Sequence, residues 1–414
     1  MSPGPARAAG GRPGRSRPIE RLADYYVGVP AVYALGALRT ARPAPERVRR
    51  LALLQTAAIG DTVLMSAVVA DLRRALPEAE IHLLAGASNA PAAPLIAGID
   101  RVHRLDVKRV ARSVAFIRSL GLDALIDFGP WPRLNALYAA LSRADFTVGF
   151  ARPDQRRHFA FDAPVAHRDD RHEIDNQRAL LAPFAIAPEA GPSLAVPDAA
   201  RASVAARGLE GVTVLHPWPG GSAAALKRWP DDRWIALARA LAADGHRLVV
   251  TGAPADASES RALVDRFGLS DAAATAIAGT LDLTETAALL ASARALVSVD
   301  TGVMHLAAAA GAPTLGLHGP TSPARWGPVG PRVATVVSPD PRAGYLSLGF
   351  DVPADPPDAM AAIETAAVRA ALDELLSGGL PSADRLATAA RKGALPGSAG
   401  GGMLTNAVAA GPGR

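Results

Sequence analysis

Ala-Leu-Val-Ser-Val-Asp-Thr-Gly-Val-Met-His-Leu-Ala-Ala-Ala-Ala-Gly, residues 295–311, is the stretch from which the fold can be read. Ala295 to Val299 is short and apolar, with β-branched residues that are typical of a buried parallel strand. The turn at 300–302 breaks this pattern, and the Ala- and Leu-rich residues after it predict a helix capped by Asp300 or Thr301. A strand, a tight polar turn and a helix N-terminus form the anion-binding corner of an α/β domain.

The same alternation of strand and helix recurs on both sides of this stretch. Strand candidates in the first half begin with Leu51 to Leu54 and Ile81 to Ala85, and the second half starts again with Val212 to His216 and His246 to Gly252. This rhythm predicts parallel sheets covered by helices. The Pro-rich residues 185–200 mark a boundary between two similar units. We therefore predict an α/β chain whose ligand cleft lies between the carboxyl ends of two sets of strands.

The predicted organisation has five parts. They are a basic N-terminal extension at 1–46, disordered or interfacial; a first domain at 47–187; a second domain at 188–345; a connector and C-terminal helix at 346–377; and a disordered Gly-rich tail at 378–414. Two interpretations of the extension stay open. It packs on the body of the protein, or it lies on an anionic membrane surface.

Charge and composition exclude several classes of function. Residues 1–50 hold ten Arg against three acidic residues, so the net charge of +5 belongs to the extension. The body therefore has no basic face of the kind that binds nucleic acid, and we predict no nucleic-acid partner. The absence of Cys excludes disulfides and Cys-based metal sites. No apolar run is long enough for a transmembrane helix, and no secretory signal is evident, so a cytoplasmic location is expected.

Three polar loops are predicted to face the cleft. In the first, Gly60 allows a tight turn and Asp61 stands at a helix N-terminus. An ordinary Asp has a pKa of about 3.9, so Asp61 would be ionised at neutral pH and able to accept a proton. The alternative is that Asp61 is simply a helix cap.

The second loop runs from 216 to 228 and contains Ser222 and Lys227, which could hold phosphate oxygens. A solvated loop charge is the alternative for Lys227. However, the chain has only three Lys among its 44 basic residues, which makes a Lys at a polar turn notable.

The third loop is the turn at 300–302 with the start of its helix. The Thr301 hydroxyl and the backbone N–H groups of Gly302 and Val303 could hold a phosphate, whereas Asp300 would suit sugar hydroxyls. His305, in the first helical turn, is interpreted as a supporting residue behind the site.

Several common motifs are missing. No dinucleotide-binding Gly-x-Gly-x-x-Gly follows a strand, and neither a Walker-type phosphate loop nor the Gly-x-Ser-x-Gly of a hydrolase occurs. No His/Asp cluster has the spacing of a metal site, so we predict neither a metal nor a cofactor.

These pieces, taken in order, resemble glycosyltransferase family 9, the lipopolysaccharide heptosyltransferase family. The resemblance covers residues 49–337. It rests on Ile-Gly-Asp-Thr-Val-Leu at 59–64, His-Pro at 216–217, Lys-Arg-Trp-Pro at 227–230, Asp-Thr-Gly-Val-Met-His-Leu-Ala at 300–307, and Gly-Pro-Thr-Ser-Pro at 319–323 with Trp-Gly-Pro at 326–328. Gln55, Thr56 and the Ala pair at 57–58 depart from the family pattern.

The resemblance implies a GT-B fold, with two Rossmann-like domains that face a central cleft and a C-terminal helix that returns to the first domain. The first domain would bind the acceptor, and the second the nucleotide-sugar. It also implies metal-independent, inverting transfer of a sugar, typically heptose from ADP-heptose, to a lipopolysaccharide-core or other envelope glycan. Such an acceptor suggests a peripheral position on the inner membrane.

Carried over by position, Asp61 is the general base, Lys227 contacts phosphate, and residues 300–303 bind the donor. Ser222 and Asp256 fit more loosely, as a phosphate contact and a nucleoside contact, and Gly60 and His305 support the site. Two other functions stay open: a nucleotide-sugar epimerase on the same fold, and a non-catalytic nucleotide- or glycan-binding protein.

Overall fold

A computed structural model describes residues 24–37, 40–152, 155–221, 223–348 and 352–378. Within these ranges the strands form two parallel six-stranded sheets. We call β1–β6 with their helices the first lobe, and β7–β12 with theirs the second lobe. The strands are β1 Arg50–Gln55, β2 Glu80–Ala85, β3 Arg101–Arg104, β4 Ala124–Asp127, β5 Phe146–Ala151, β6 Ala163–Ala166, β7 Thr213–His216, β8 Leu248–Val250, β9 Ala274–Ala276, β10 Ala295–Val299, β11 Thr314–His318 and β12 Val333–Val337.

Both sheets have the same strand order. The first runs β3-β2-β1-β4-β5-β6, and the second runs β9-β8-β7-β10-β11-β12. This is the Rossmann order, in which the direction of progress reverses between the first and fourth strands and leaves a crevice at their carboxyl ends. The prediction of an α/β chain with two Rossmann-like, parallel-sheet units is therefore confirmed. The sixth strand of the first sheet, β6, was not expected from the sequence.

Helices connect these strands and cover the sheets. They are α1 Gly28–Ala37, α2 Ile59–Ala75, α3 Val110–Ser119, α4 Arg133–Leu141, α5 Glu173–Ala179, α6 Asp198–Ala206, α7 Asp231–Ala243, α8 Ala257–Phe267, α9 Leu283–Ser292, α10 Gly302–Ala309, α11 Pro323–Trp326 and α12 Thr365–Leu376. The central strand β10 is buried along its whole length, as its apolar sequence requires when helices pack on both faces. No helix within the described ranges is both long enough and apolar enough to cross a bilayer.

The two lobes meet through apolar side chains. Val63 on α2 and Leu95 of the first lobe belong to the same buried cluster as Val214, Leu289 and Leu306 of the second lobe. Helices α2 and α10, which follow the central strands β1 and β10, pack against each other. The carboxyl ends of the two sheets consequently face one another, and the polar loops lie between them.

The C-terminal helix α12 does not return to the first lobe, which corrects the expectation taken from the resemblance. Its apolar side chains Val368, Leu372 and Leu375 are buried in the second-lobe core with Trp229 and Trp234. An amphipathic helix docks where its apolar face finds matching surface, and here β12 and α7 provide that surface. The expected Gly-rich tail lies outside the described residues, apart from Gly378.

The described part of the N-terminal extension packs on the first lobe. Val32 of α1 is fully buried, and the Tyr33 ring lies 4.4 Å from that of Phe159, centroid to centroid. The packing interpretation therefore holds for α1. Residues 1–23, which carry much of the basic charge, lie outside the described residues.

Candidate functional site

The turn after β10 has the structure that its sequence predicts. Thr301 has extended backbone angles, and its side-chain oxygen accepts a hydrogen bond from the Val303 N–H at 3.1 Å. Thr301 is thus the cap of α10, one of the two candidates. The Val303 N–H is already bonded, so in this conformation the Gly302 N–H and the Thr301 hydroxyl proton are the better-placed donors to a phosphate.

Lys227 reaches this turn from the loop after β7. Its ammonium donates to the Asp300 carbonyl oxygen at 3.0 Å and lies 3.7 Å from the Asp300 carboxylate, and both side chains are nearly buried, at 13% and 12% exposed. Burial alone would raise the pKa of Asp300, but the nearby Lys227 charge, two histidines and a hydrogen bond from Thr321 lower it overall. Asp300 is therefore ionised at neutral pH. Lys227 pairs with Asp300 and is nearly buried, so it is not the solvated loop charge that was the alternative interpretation.

Two buried histidines, His305 and His318, lie near Asp300 at this turn. Burial lowers the pKa of His305 and that of His318 to about 4 in each case, and the attraction of Asp300 only partly opposes this effect. The His318 Nδ1 atom is 3.2 Å from the Thr321 hydroxyl. Both imidazoles are consequently neutral near pH 7, and Lys227 supplies the positive side-chain charge beside Asp300.

The first-lobe loop meets the second lobe at two glycines. A Cβ atom added at Gly60 would lie 2.9 Å from the His305 ring, and one added at Gly302 would lie 3.2 Å from the Gly60 amide nitrogen. The N-termini of α2 and α10 are therefore in direct contact. Asp61 follows in the first turn of α2, and its carbonyl oxygen accepts a hydrogen bond from Gln177 at 3.0 Å. We call this contact between the lobes the seam; residue 61 follows Gly60 at the seam, and Lys227 contacts the turn that carries Gly302.

The loop that leads to Asp61 contains a strained residue, Ala58, and hydrogen bonds from neighbouring residues hold its conformation. Ala58 has a φ of 66°, in the left-handed region that glycine normally occupies. Thr62 bonds the Ala58 carbonyl oxygen through both its amide and its hydroxyl, and Asn89 donates to the Thr62 hydroxyl at 2.9 Å. Such a conformation persists only where surrounding contacts enforce it, so these bonds fix the entry to α2.

Two predicted site residues, Asp256 and Ser222, stay predictions. Asp256 accepts a hydrogen bond from the Ala253 amide at 2.8 Å and caps the short turn before α8. Ser222 lies outside the described residues. Among the residues that the structure describes, no group of three or more His, Cys, Asp or Glu side chains is arranged to hold a metal ion.

The sequence analysis did not single out His318, or a side-chain role for Thr321. His318 is the last residue of β11, and Thr321 follows three positions later. The sequence did contain a signal for His318, namely a polar residue at the end of an apolar strand. Adjacent parallel strands end at the same edge of a sheet, so this residue could be expected near the 300–302 turn.

Comparison with known families adds a second kind of observation. A family model described as glycosyltransferase family 9 (heptosyltransferase) matches residues 135–344. Lipopolysaccharide heptosyltransferase 2 of Escherichia coli K12 is 32% identical over 106 residues, which cover 25% of this chain and 30% of that protein. The chain therefore spans less than half the length of the curated relatives that it matches.

Solved structures extend the likeness beyond the region that the family model matches. The E. coli ADP-heptose lipopolysaccharide heptosyltransferase II aligns with a TM-score of 0.65 at 18% identity and covers 80% of this chain and 99% of its own. The dodecameric, iron-containing heptosyltransferase TibC, solved with ADP-D-β-D-heptose, aligns with a TM-score of 0.52 at 14% identity, over 82% of this chain and 78% of its own. At these identities the likeness concerns the fold.

Proposed function

Since the chain belongs to glycosyltransferase family 9, the heptosyltransferase family, we propose that it transfers a sugar, typically heptose, from an ADP-linked donor to a lipopolysaccharide-core or other envelope glycan. The observation that carries this proposal is the seam between the lobes. There Gly60 meets Gly302, and the Lys227–Asp300 pair lies at the same turn. In transfer from a sugar diphosphate, a cation and helix N-termini can stabilise the negative charge of the leaving diphosphate, and a carboxylate can accept the proton of the acceptor hydroxyl.

The reaction is a single in-line displacement with inversion. The acceptor hydroxyl oxygen forms a bond to the anomeric carbon while the bond from that carbon to the diphosphate oxygen breaks. Asp61 accepts the hydroxyl proton, and the nucleoside diphosphate leaves from the opposite face of the sugar with the electron pair. The position of Asp61 in the first turn of α2, on the first-lobe side of the seam, supports this assignment.

The second lobe stabilises the leaving group. Lys227 and the N-terminus of α10 provide positive charge where the diphosphate accumulates negative charge. Asp300 is ionised, so it holds Lys227 in place and accepts hydrogen bonds from sugar hydroxyls. This description requires no metal, and metal independence remains part of the proposal because the structural neighbour TibC contains iron.

The donor can be identified by thermal stability. We expect ADP-heptose to raise the melting temperature of the full chain more than UDP-glucose, GDP-mannose or ADP alone does. A ligand that binds the folded state at about 100 times its Kd stabilises it by about 2.7 kcal/mol. An equal shift with UDP- or GDP-linked sugars would contradict the ADP-linked donor.

We also propose that the extension contacts the cytoplasmic face of the inner membrane, where a lipid-linked acceptor would be found. Tyr26 and Val27 are 70% and 67% exposed, and residues 1–23 contain five Arg and one Glu. Exposed aromatic and apolar side chains beside basic residues favour an anionic bilayer surface.

Co-sedimentation with vesicles tests this contact. The full chain should bind phosphatidylglycerol vesicles more strongly than phosphatidylcholine vesicles, and Tyr26→Ser with Val27→Ser should weaken binding by at least about threefold. A matched control is Val102→Ser with Val107→Ser, since these first-lobe valines are also exposed, at 47% and 41%. An equal loss in both double variants would argue against a membrane contact by the extension.

A further inference from the structure

Polar side chains also join the two lobes, beside the apolar contacts described above. Residues 167–177, which run from the end of β6 into α5, belong to the first lobe, and residues 321–328, around the short helix α11, belong to the second. The Arg325 guanidinium crosses to the first lobe, where it donates to the Arg168 carbonyl oxygen at 3.0 Å and to the Glu173 carboxylate at 3.4 Å. The Arg325 side chain is 5% exposed and that of Glu173 is 2% exposed, so this ion pair is shielded from water.

His172 makes a second contact between the lobes next to this ion pair. Its Nδ1 atom accepts a hydrogen bond from the Ile174 amide at 3.2 Å, so its Nε2 atom carries the proton and donates to the Gly327 carbonyl oxygen at 3.0 Å. Burial lowers the pKa of His172, which keeps the ring neutral near pH 7. We call these two contacts, Arg325 to Glu173 and His172 to Gly327, the inter-lobe bridge.

The first-lobe side of the bridge is held in place by its own neighbours. Arg152 donates to the His167 Nδ1 atom at 3.1 Å, and the His167 Nε2 atom then donates to the Glu173 carboxylate at 3.1 Å. The Asp169 carboxylate accepts a hydrogen bond from Arg152 at 2.8 Å and lies 3.3 Å from the Arg325 guanidinium. Glu173 therefore receives hydrogen bonds from both lobes, as a buried carboxylate requires.

Each end of the bridge leads to a residue that the proposed mechanism uses. In the first lobe, Gln177 is fully buried in α5, and its side-chain amide donates to the Asp61 carbonyl oxygen at 3.0 Å. Gln177 is four residues after Glu173 and lies on the same side of that helix. In the second lobe, the Thr321 hydroxyl donates to the Asp300 carboxylate, and Thr321 comes directly before α11. The bridge therefore connects the turn that carries Asp300 to the start of α2 through a few short contacts.

We propose that Arg325 is a positioning residue for sugar transfer, which through Glu173 fixes the donor turn at 300–303 relative to Asp61. Without this ion pair the donor still binds to the second lobe, but the acceptor is less well aligned and water enters between the lobes. A water oxygen then forms the bond to the anomeric carbon, the bond to the diphosphate oxygen breaks, and a water proton is released. This inference rests on the proposed function for the reaction, whereas the coupling of the lobes can be tested without turnover.

The first test measures transfer and hydrolysis of ADP-heptose by the full chain, with a heptose-free lipopolysaccharide-core glycan as acceptor. In Arg325→Gln we expect kcat for transfer to fall by about 10- to 10²-fold through misalignment, while the KM for the donor stays constant. The ratio of hydrolysis to transfer should rise at least about threefold, because water is less well excluded. Glu173→Gln should act alike, and the double variant should be no worse than either single one, since both remove the same contact. Arg325→Lys, which keeps the charge but not the paired N–H groups, should lose less and replaces Arg325→Gln if that variant does not fold.

Arg42→Gln is the matched control. Arg42 likewise donates to a backbone carbonyl oxygen, that of Ala144 at 2.7 Å, and lies 3.3 Å from a buried carboxylate, that of Asp162, but both partners belong to the first lobe. This variant should lower the melting temperature and leave the ratio of hydrolysis to transfer unchanged. An unchanged ratio in Arg325→Gln, or an equal loss of transfer in the two variants, would show that Arg325 has only a structural role and would overturn the proposal.

Hydrogen exchange followed by mass spectrometry measures the coupling of the lobes without turnover. In Arg325→Gln the backbone amides of residues 62–66, near the start of α2 in the other lobe, should exchange at least about fivefold faster than in the wild type. In Arg42→Gln they should exchange at the wild-type rate. Faster exchange confined to residues 323–327 would overturn the proposal. If the wild type neither transfers nor hydrolyses ADP-heptose, the proposed function fails, while the exchange result still decides whether Arg325 couples the lobes.

Discussion

Replacing Asp61 with Asn is expected to lower kcat by about 10²- to 10⁴-fold, the usual contribution of a positioned general base. The amide keeps the size of the side chain but cannot take the proton from the acceptor hydroxyl. Asp61 stands in the first turn of α2, whose N-terminus touches α10 across the seam. In the proposed mechanism the second lobe binds the donor, so the thermal shift given by ADP-heptose should be retained.

The control for this variant is Asp198→Asn. Asp198 is also an acidic residue in the first turn of a helix, α6, and it is exposed. The same chemical change there should leave kcat unaltered. If folded Asp61→Asn transfers sugar at nearly the wild-type rate, Asp61 is a helix-terminal residue only, and the base must be sought elsewhere.

Much of the fold could be predicted because its signals are local. The apolar run at 295–299, the polar turn and the Ala-rich residues after it specify β10, the Thr301 cap and α10 within one short stretch. The same reasoning holds for β1 and α2. Parallel strand order then follows from right-handed βαβ connections, which leave few arrangements open.

The site depended on contacts that local patterns do not encode. Lys227 and Asp300 are 73 positions apart, and their pairing depends on how the loop after β7 folds over the sheet edge. The sequence analysis did not single out His318, because only its burial in the folded protein lowers its pKa to about 4 and keeps its ring neutral beside the turn. The docking of α12 on the second lobe was likewise decided by tertiary packing, since its own amphipathic pattern does not indicate which sheet it covers.

Lys227→Ala is the second substitution with a large expected effect. Removing one positive group from a preorganised charge-stabilising site costs about 10²- to 10³-fold in rate. Lys227 is the cation within hydrogen-bonding distance of the 300–303 turn, and its near-complete burial makes its charge more effective than it would be in water. We expect kcat to fall and the ADP-heptose thermal shift to shrink together, whereas Lys108→Ala, which removes an exposed Lys, should change neither.

The pH dependence of Lys227→Ala tests whether Asp300 binds the donor as a carboxylate. Burial raises the pKa of Asp300 and Lys227 is the strongest influence that lowers it, so without Lys227 that pKa should rise. At low pH the Asp300 carboxylate would then be protonated and could no longer accept hydrogen bonds from the sugar. The KM for the donor in Lys227→Ala should therefore increase as the pH is lowered, and this increase should begin at a higher pH than in the wild type. A pH-independent KM in the variant would show that Asp300 does not bind the donor as a carboxylate, and Lys227 would then act on the diphosphate alone.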